Sequence, residues 1–331
     1  MLGAFMKIHL LDTTDAKQKT EWKNFIENSN NGTIFHDLDF LDYHPAGKFN
    51  THHLEFFEKG KLTAILPAAL NIQDDGIKTL RSPYGASIGG FVFQPGLRIK
   101  TIMEIIKLLQ EYSKDNKINT ADIKLGPIPY MKIPDTVQQF SLLSSGFNLA
   151  CSWVSYLVPL SPESDIVTEL FSSNKKYEFN YGEKLGATAK ETDISEIDSF
   201  YEILMETEAR LGGKPTHTKE ELIDLYNRLP GKIRIFMGYC EGRPASGVLI
   251  FMLNKKTAYT FYICGKTELK KYHPQLVTLG FLMKKLALEG VSHLDLGPTS
   301  FDNMQLNEGL AHFKEDLGGK GFTRDFFRWK A

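Results

Sequence analysis

The sequence predicts an α/β (α+β) chain of two tandem domains, on three observations. Its 331 residues suit two domains better than one. Strand patterns and amphipathic helix patterns alternate through both halves. Their order repeats, and each repeat ends in the same tripeptide, Leu125-Gly126-Pro127 and Leu296-Gly297-Pro298. We expect the domains to occupy 1–160 and 161–331.

In the first half a helix is expected over 20–28, stopped by Asn30, Asn31 and Gly32. Strands at 53–57 and 62–71 flank Glu58-Lys59-Gly60-Lys61, the pattern of a hairpin. Pro83, Gly85, Gly89 and Gly90 around Tyr84 read as a loop with close backbone approach, followed by a short strand. Ile102, Ile105, Ile106, Leu109 and Tyr112 recur at helical spacing. A strand at 121–125 runs into the first Gly-Pro, and an aromatic strand ends at Val158-Pro159.

The polar stretch 161–186 reads as the connection between halves, with a helix near 166–171. Helices follow at 195–211, closed by Gly212-Gly213, and at 218–229, opened by Thr218-Lys219-Glu220-Glu221, a capping-box pattern. Strands at 233–240, 245–253 and 258–264, a helix at 275–288 and a strand at 293–296 complete the second half.

Hydrophobic content of 42% and charged content of 24% are those of a globular protein with a real core. A net charge of -1 argues against a dedicated nucleic-acid binder, DNA included. Cys151, Cys240 and Cys264 have neither disulfide-framework nor zinc spacing, which points to reduced thiols and the cytoplasm. No run approaches the roughly 18 apolar residues of a membrane span. No HExxH, Walker A, Gly-x-Ser-x-Gly or dinucleotide fingerprint occurs, and no metal is expected. Asp37, Asp39 and Asp42 lack the glycine and terminal glutamate of a calcium loop.

Further residues carry a family resemblance. Asp295-Leu296-Gly297, then Asn307-Glu308-Gly309-Leu310-Ala311-His312-Phe313-Lys314, then Leu317-Gly318-Gly319, resembles the C-terminal signature of FemAB-like proteins of the GNAT superfamily, including BioF2-like acetyltransferases. Tyr272-His273-Pro274, Glu208-Ala209-Arg210 and Lys214-Pro215-Thr216-His217-Thr218 fit the same pattern. So do Leu66-Pro67-Ala68 and Ser82-Pro83-Tyr84-Gly85 in the first half. The resemblance implies two GNAT-like domains, each a mixed sheet flanked by helices. It implies transfer of an acyl or aminoacyl group to an amine of a sugar or peptide, with a cell-envelope precursor as one acceptor class. The donors it implies are acyl-CoA, acyl carrier protein and aminoacyl-tRNA. The sequence lacks the long coiled-coil insertion of the cell-wall enzymes. It also has no glycine over 268–275, where a GNAT phosphate-binding loop would lie.

Acyl transfer to an amine needs a proton acceptor, a positive charge or hydrogen-bond donors at the oxyanion, and alignment of two substrates. The resemblance assigns the charge to Lys314, beside Phe313. Asp295 is either a base or a cap for the turn at Gly297. His217, in a loop, is a base candidate near neutral pH, ranked above His52 and His53. Tyr84, Tyr262 and Tyr272 suit an acceptor cleft. Arg210 suits an anionic group or a helix end, and His312 joins the binding set. The alternative reading is a GNAT-fold binding module without chemistry.

Overall fold

The computed structural model describes residues 6–45 and 47–331. In chain order its elements are β1 (Met6–Leu10), α1 (Ala16–Asn28), α2 (Leu38–Leu41), β2 (Leu54–Glu58), β3 (Lys61–Leu66), β4 (Ala69–Ile72), β5 (Lys78–Ser82), β6 (Val92–Phe93), α3 (Ile99–Asp115), β7 (Thr120–Lys124), α4 (Val137–Ser144) and β8 (Asn148–Pro159). There follow α5 (Ile166–Leu170), α6 (Ser173–Lys184), β9 (Thr188–Thr192), α7 (Ile197–Arg210), α8 (Lys219–Arg228), β10 (Ile233–Cys240), β11 (Arg243–Met252), β12 (Thr257–Gly265), α9 (Pro274–Leu288), β13 (His293–Pro298), α10 (Glu308–Asp316) and β14 (Lys320–Lys330).

The chain divides into two compact units. Unit 1 is 1–153 with 302–304 and 323–331, and unit 2 is 154–301 with 305–322. The boundary expected at 160/161 therefore gives way to a division inside β8. The physical reason is that β8 is one twelve-residue strand whose first half serves unit 1 and whose second half serves unit 2. The last nine residues, most of β14, return to unit 1.

Unit 1 contains a sheet of order β1-β2-β3-β6 and the strands β4-β5-β7-β14 with the start of β8. The β2–β3 hairpin turns at Lys59 and Gly60, both at positive φ (51° and 80°), as a two-residue turn with the right twist requires. The stretch 62–71 is not one strand. It breaks at Pro67-Ala68 into β3 and β4, which lie in different sheets. Proline has no N–H to donate, so the β3 ladder stops there. α1 starts four residues before the expected 20–28, because the Asp15 carboxylate caps the N–H groups of Lys17 and Gln18. α3 buries Ile102, Ile105, Ile106 and Leu109, each contributing about 1.5–3 kcal/mol through burial. They join a core with Phe56, Phe91, Phe327 and Trp329.

Unit 2 is built on the order β8-β13-β12-β11-β10-β9. Alternation along β11 sends Ser246 and Val248 toward α9, whereas a Cβ on Gly247 would meet the Phe200 ring of α7, so the two helices cover opposite faces. Thr218 and Glu221 form the expected capping box of α8. The polar stretch 161–186 is not only a connection. It contains α6, whose Phe179 packs under α9. Its pattern hid it: the helix is polar nearly all round and buries little besides that one ring.

The repeat is visible in three dimensions. β5–α3–β7 and β12–α9–β13 are both strand, helix, parallel strand, and each ends at a Gly-Pro.

Candidate functional site

In unit 2, β12 and β13 are parallel partners for three residue pairs only, from Thr257↔His293 to Tyr259↔Asp295. Beyond that point β12 continues to Gly265 and β13 to Pro298 without pairing to each other. Open sheets bind ligands outside the carboxyl ends of parallel strands, where neighbours part.

Lys314 stands at this opening. It sits in the last turn of α10, is 3% exposed, and its Nζ donates to the carbonyls of Gly297 at 2.9 Å and Pro298 at 3.0 Å. Burying an ammonium costs several kcal/mol unless hydrogen bonds replace water. Two carbonyls and the negative end of its own helix supply that replacement. The Asn307 side chain starts α10 by accepting the Leu310 N–H at 3.1 Å. Gly318, at φ 85°, ends it, and Gly319 donates to the Lys314 carbonyl at 2.9 Å. The Asn…Gly-Gly spacing of the sequence is thus the frame that holds this lysine.

Gly297 adopts φ 85°, which favours glycine. A Cβ built on it would lie 3.7 Å from both Lys314 Nζ and the Tyr259 ring, so these two side chains flank the turn. Asp295 is fully buried. Its Oδ1 accepts the Gly297 N–H at 2.6 Å and the Ser155 hydroxyl at 2.7 Å. That is the turn-capping geometry, and it orients the carbonyls that hold Lys314.

A bulge in β12 shapes the next group. Thr260 pairs with Ile250 and Tyr262 with Leu249, leaving Phe261 unpaired. The Phe261 ring then lies 6.0 Å from Tyr259 and 4.8 Å from Tyr262, as a bulge allows and strict alternation does not. The Tyr262 oxygen accepts the His217 backbone N–H at 3.1 Å and stands 3.0 Å from its Nδ1. Burial pushes the Tyr262 phenol up to about 12. His217 is 3% exposed and packs edge-on against Phe261.

The remaining expected residues of unit 2 lie elsewhere. Phe313 is half-buried against the core. Arg210 is exposed and donates to Thr267 Oγ1 at 3.2 Å. Tyr272 is buried and gives its hydroxyl hydrogen to Glu241. His312 is exposed beside Glu315 at 3.3 Å, and Glu315 also accepts the Tyr156 hydroxyl. Tyr259 and Ser155 were not singled out by sequence. Their signal is tertiary, since neither belongs to a motif.

At the start of α9, several backbone N–H groups that a coenzyme A pyrophosphate would use are engaged. The Lys266 N–H donates to Ala245 O, Thr267 N–H to Glu206 Oε1 at 2.9 Å, Leu269 N–H to Lys266 O and His273 N–H to Lys270 O. Pro274, the first helical residue, has no N–H. These four N–H groups are engaged within the chain, and a carboxylate stands among them.

Unit 1 has its own cleft, of about 650 Å³, walled by Phe49, Arg81, Tyr84, Lys124, Trp153 and Asp302 among others. Tyr84 hydrogen-bonds His53 Nε2 at 3.0 Å. Burial pushes the Tyr84 phenol well up and draws His53 down to about 3, so His53 is neutral at pH 7. A Cβ on Gly85, at φ 56°, would run into the His44 ring. That glycine is the close backbone approach expected around Tyr84.

Among the described residues no helix is long and apolar enough to cross a membrane, and no group of three or more His, Cys, Asp or Glu could hold a metal ion. All three cysteines are buried and free.

The family model described as an acetyltransferase (GNAT) domain matches residues 172–328. No curated protein matches the chain by sequence. Among solved structures, FemX is similar over 98% of this chain and 97% of its own, at 13% identity and TM-score 0.73. The C-terminal domain of a putative lysylphosphatidylglycerol synthetase from Agrobacterium fabrum is similar at 10% identity over 96% and 93%, TM-score 0.59. A tandem GNAT protein from the clavulanic acid biosynthesis pathway is similar at 12% identity over 98% of both chains, TM-score 0.55. Residues 172–328 thus match a GNAT acetyltransferase domain model, in a chain that has the fold of tandem GNAT proteins.

Proposed function

We propose that this protein is an N-acyltransferase that moves an acyl or aminoacyl group from an activated donor to an amine of a sugar or peptide, with cell-envelope precursors as the acceptor class. The observation that carries the reading is the buried Lys314 ammonium at the parting of β12 and β13, held by two backbone carbonyls. Likeness to FemX and to a lysylphosphatidylglycerol synthetase domain supports the aminoacyl form.

In this mechanism the acceptor amine, freed of a proton, attacks the donor carbonyl, and Lys314 offsets the charge that builds on the carbonyl oxygen. A preorganised charge in a site with little water is worth far more than one in solvent. The His217–Tyr262 pair is the proton acceptor, and Asp295 keeps the Gly297 turn in place. Because four N–H groups before α9 are already engaged, aminoacyl-tRNA and acyl carrier protein rank before acyl-CoA as donors.

The test is incubation with each donor and with amino-sugar and muropeptide acceptors, reading the new amide by mass spectrometry. Lys314→Met is expected to cut turnover more than about tenfold with the fold retained, a loss of at least ~1.4 kcal/mol of transition-state stabilisation. Unchanged turnover removes Lys314 from the mechanism. A second reading, a binding module without chemistry, draws on the engaged N–H groups at α9. It gains if no donor yields amide while an acceptor still binds.

A further inference from the structure

The unit 1 cleft holds a lysine that acyl transfer does not use. Lys124 ends β7, is half-buried, and its Nζ lies 3.9 Å from the centroid of the Trp153 ring. Among the described residues it forms no ion pair. The nearest acidic candidates are engaged elsewhere. Asp122, two residues back, is gripped by Arg328 through both oxygens at 2.7 Å. Asp302 accepts the Trp153 Nε1–H at 3.2 Å.

Three other cations belong to this part of unit 1. Arg81 on β5 and Lys48 line the same cleft, and Arg324 on β14 adds its charge. Cys151 on β8, also in the wall, donates its S–H to the Asp302 carbonyl at 3.4 Å. An ammonium taken from water with no counter-ion favours its neutral form. Burial, reinforced by Arg324, draws Lys124 down to about 8, with Asp302 and Cys151 pulling the other way. The Trp153 face also favours the cation, but burial and the Arg324 charge together outweigh one ring. At pH 8 an ordinary lysine is about 0.3% neutral, so a group near 8 has roughly a hundredfold more free amine.

We propose that Lys124 captures a small aldehyde bearing a phosphate or carboxylate, as an imine, inside this cleft. The free amine supplies the nucleophile, Arg81 and Lys48 suit the anionic group, and Phe49 and Phe326 suit a flat carbonyl compound. In the reaction the Lys124 lone pair forms the C–N bond, and the carbonyl oxygen takes a proton to give the carbinolamine. Water then leaves with the remaining nitrogen proton, and the C=N bond remains. No oxidant or reductant is needed. The proposal rests on unit 1 alone and is independent of acyl transfer.

The experiment uses the full chain with stoichiometric pyridoxal 5′-phosphate, trapping by sodium borohydride and peptide mapping. Label is expected at Lys124 about tenfold above any exposed lysine, rising through pH 8 and levelling above it. Pyridoxal without the phosphate should label it about tenfold less, and inorganic phosphate should compete. Lys124→Arg, which keeps a charge over Trp153, should abolish the site with circular dichroism unchanged. If that variant does not fold, the wild-type map and the phosphate competition decide. Label spread over exposed lysines with Lys124 no richer than the rest would overturn the imine. Equal labelling by pyridoxal would overturn the anionic requirement.

Discussion

His53 shows how a single side chain can read as ordinary in sequence and matter in the fold. Nothing adjacent marked it, and it ranked below His217. Its partner Tyr84 lies 31 residues on, so the pair exists only after unit 1 has folded. The same burial makes a titration. Unfolded histidines take up protons below about pH 6.5, whereas His53 and His36 in the fold resist until about 3 and about 4. The unfolded state then binds more protons, so stability is full above 6.5 and is lost as pH falls. Glu55 has the opposite sign. Burial raises it to about 7, so its contribution is present below about 4.5 and is lost as pH rises through 7. Thermal melts should show a shallower loss for His53→Gln than for wild type between pH 6.5 and 4. Glu55→Gln should gain on wild type as pH rises from 4.5 to 7. Parallel curves for all three proteins would contradict both assignments.

At the scale of elements, helices with an apolar stripe were legible and polar ones were not. α3 follows its apolar spacing and α8 its capping box, whereas α6 hides because its burial is concentrated in Phe179. The strand ends at the candidate site were legible as Gly-Pro turns. The bulge at Phe261 and the engaged N–H groups before α9 were not, because both depend on cross-strand register and on carboxylates from other elements. Packing between α6 and α9 gives a test. A Cβ on Gly280 would collide with the Phe179 ring. Alanine is the better helix former by about 1 kcal/mol, but overpacking costs about 1–3 kcal/mol. Gly280→Ala should therefore lower stability by up to about 2 kcal/mol in denaturant melts, and Phe179→Leu in the same chain should recover most of it. A stabilised single variant would show that the ring moves aside freely.

For the whole molecule, the decisive feature is that residues 323–331 belong to unit 1. They bring Phe327 and Trp329 into its core, and Arg328 to the nearly buried Asp122. Losing two large buried aromatics costs about 3–5 kcal/mol each, comparable with the whole stability of a domain at about 5–15 kcal/mol. Removing 323–331 should therefore unfold unit 1 and leave unit 2 resistant, read by limited proteolysis with mass mapping. Equal protection of both units would refute the assignment. The order of strands has a consequence for how the protein comes into being. A nascent chain ordinarily completes its first domain while the second is still being translated. Here the first-made unit waits for a strand made after the second unit, so its seam closes only after residues 323–331 have left the ribosome, and until then its unfinished core presents apolar surface to solvent.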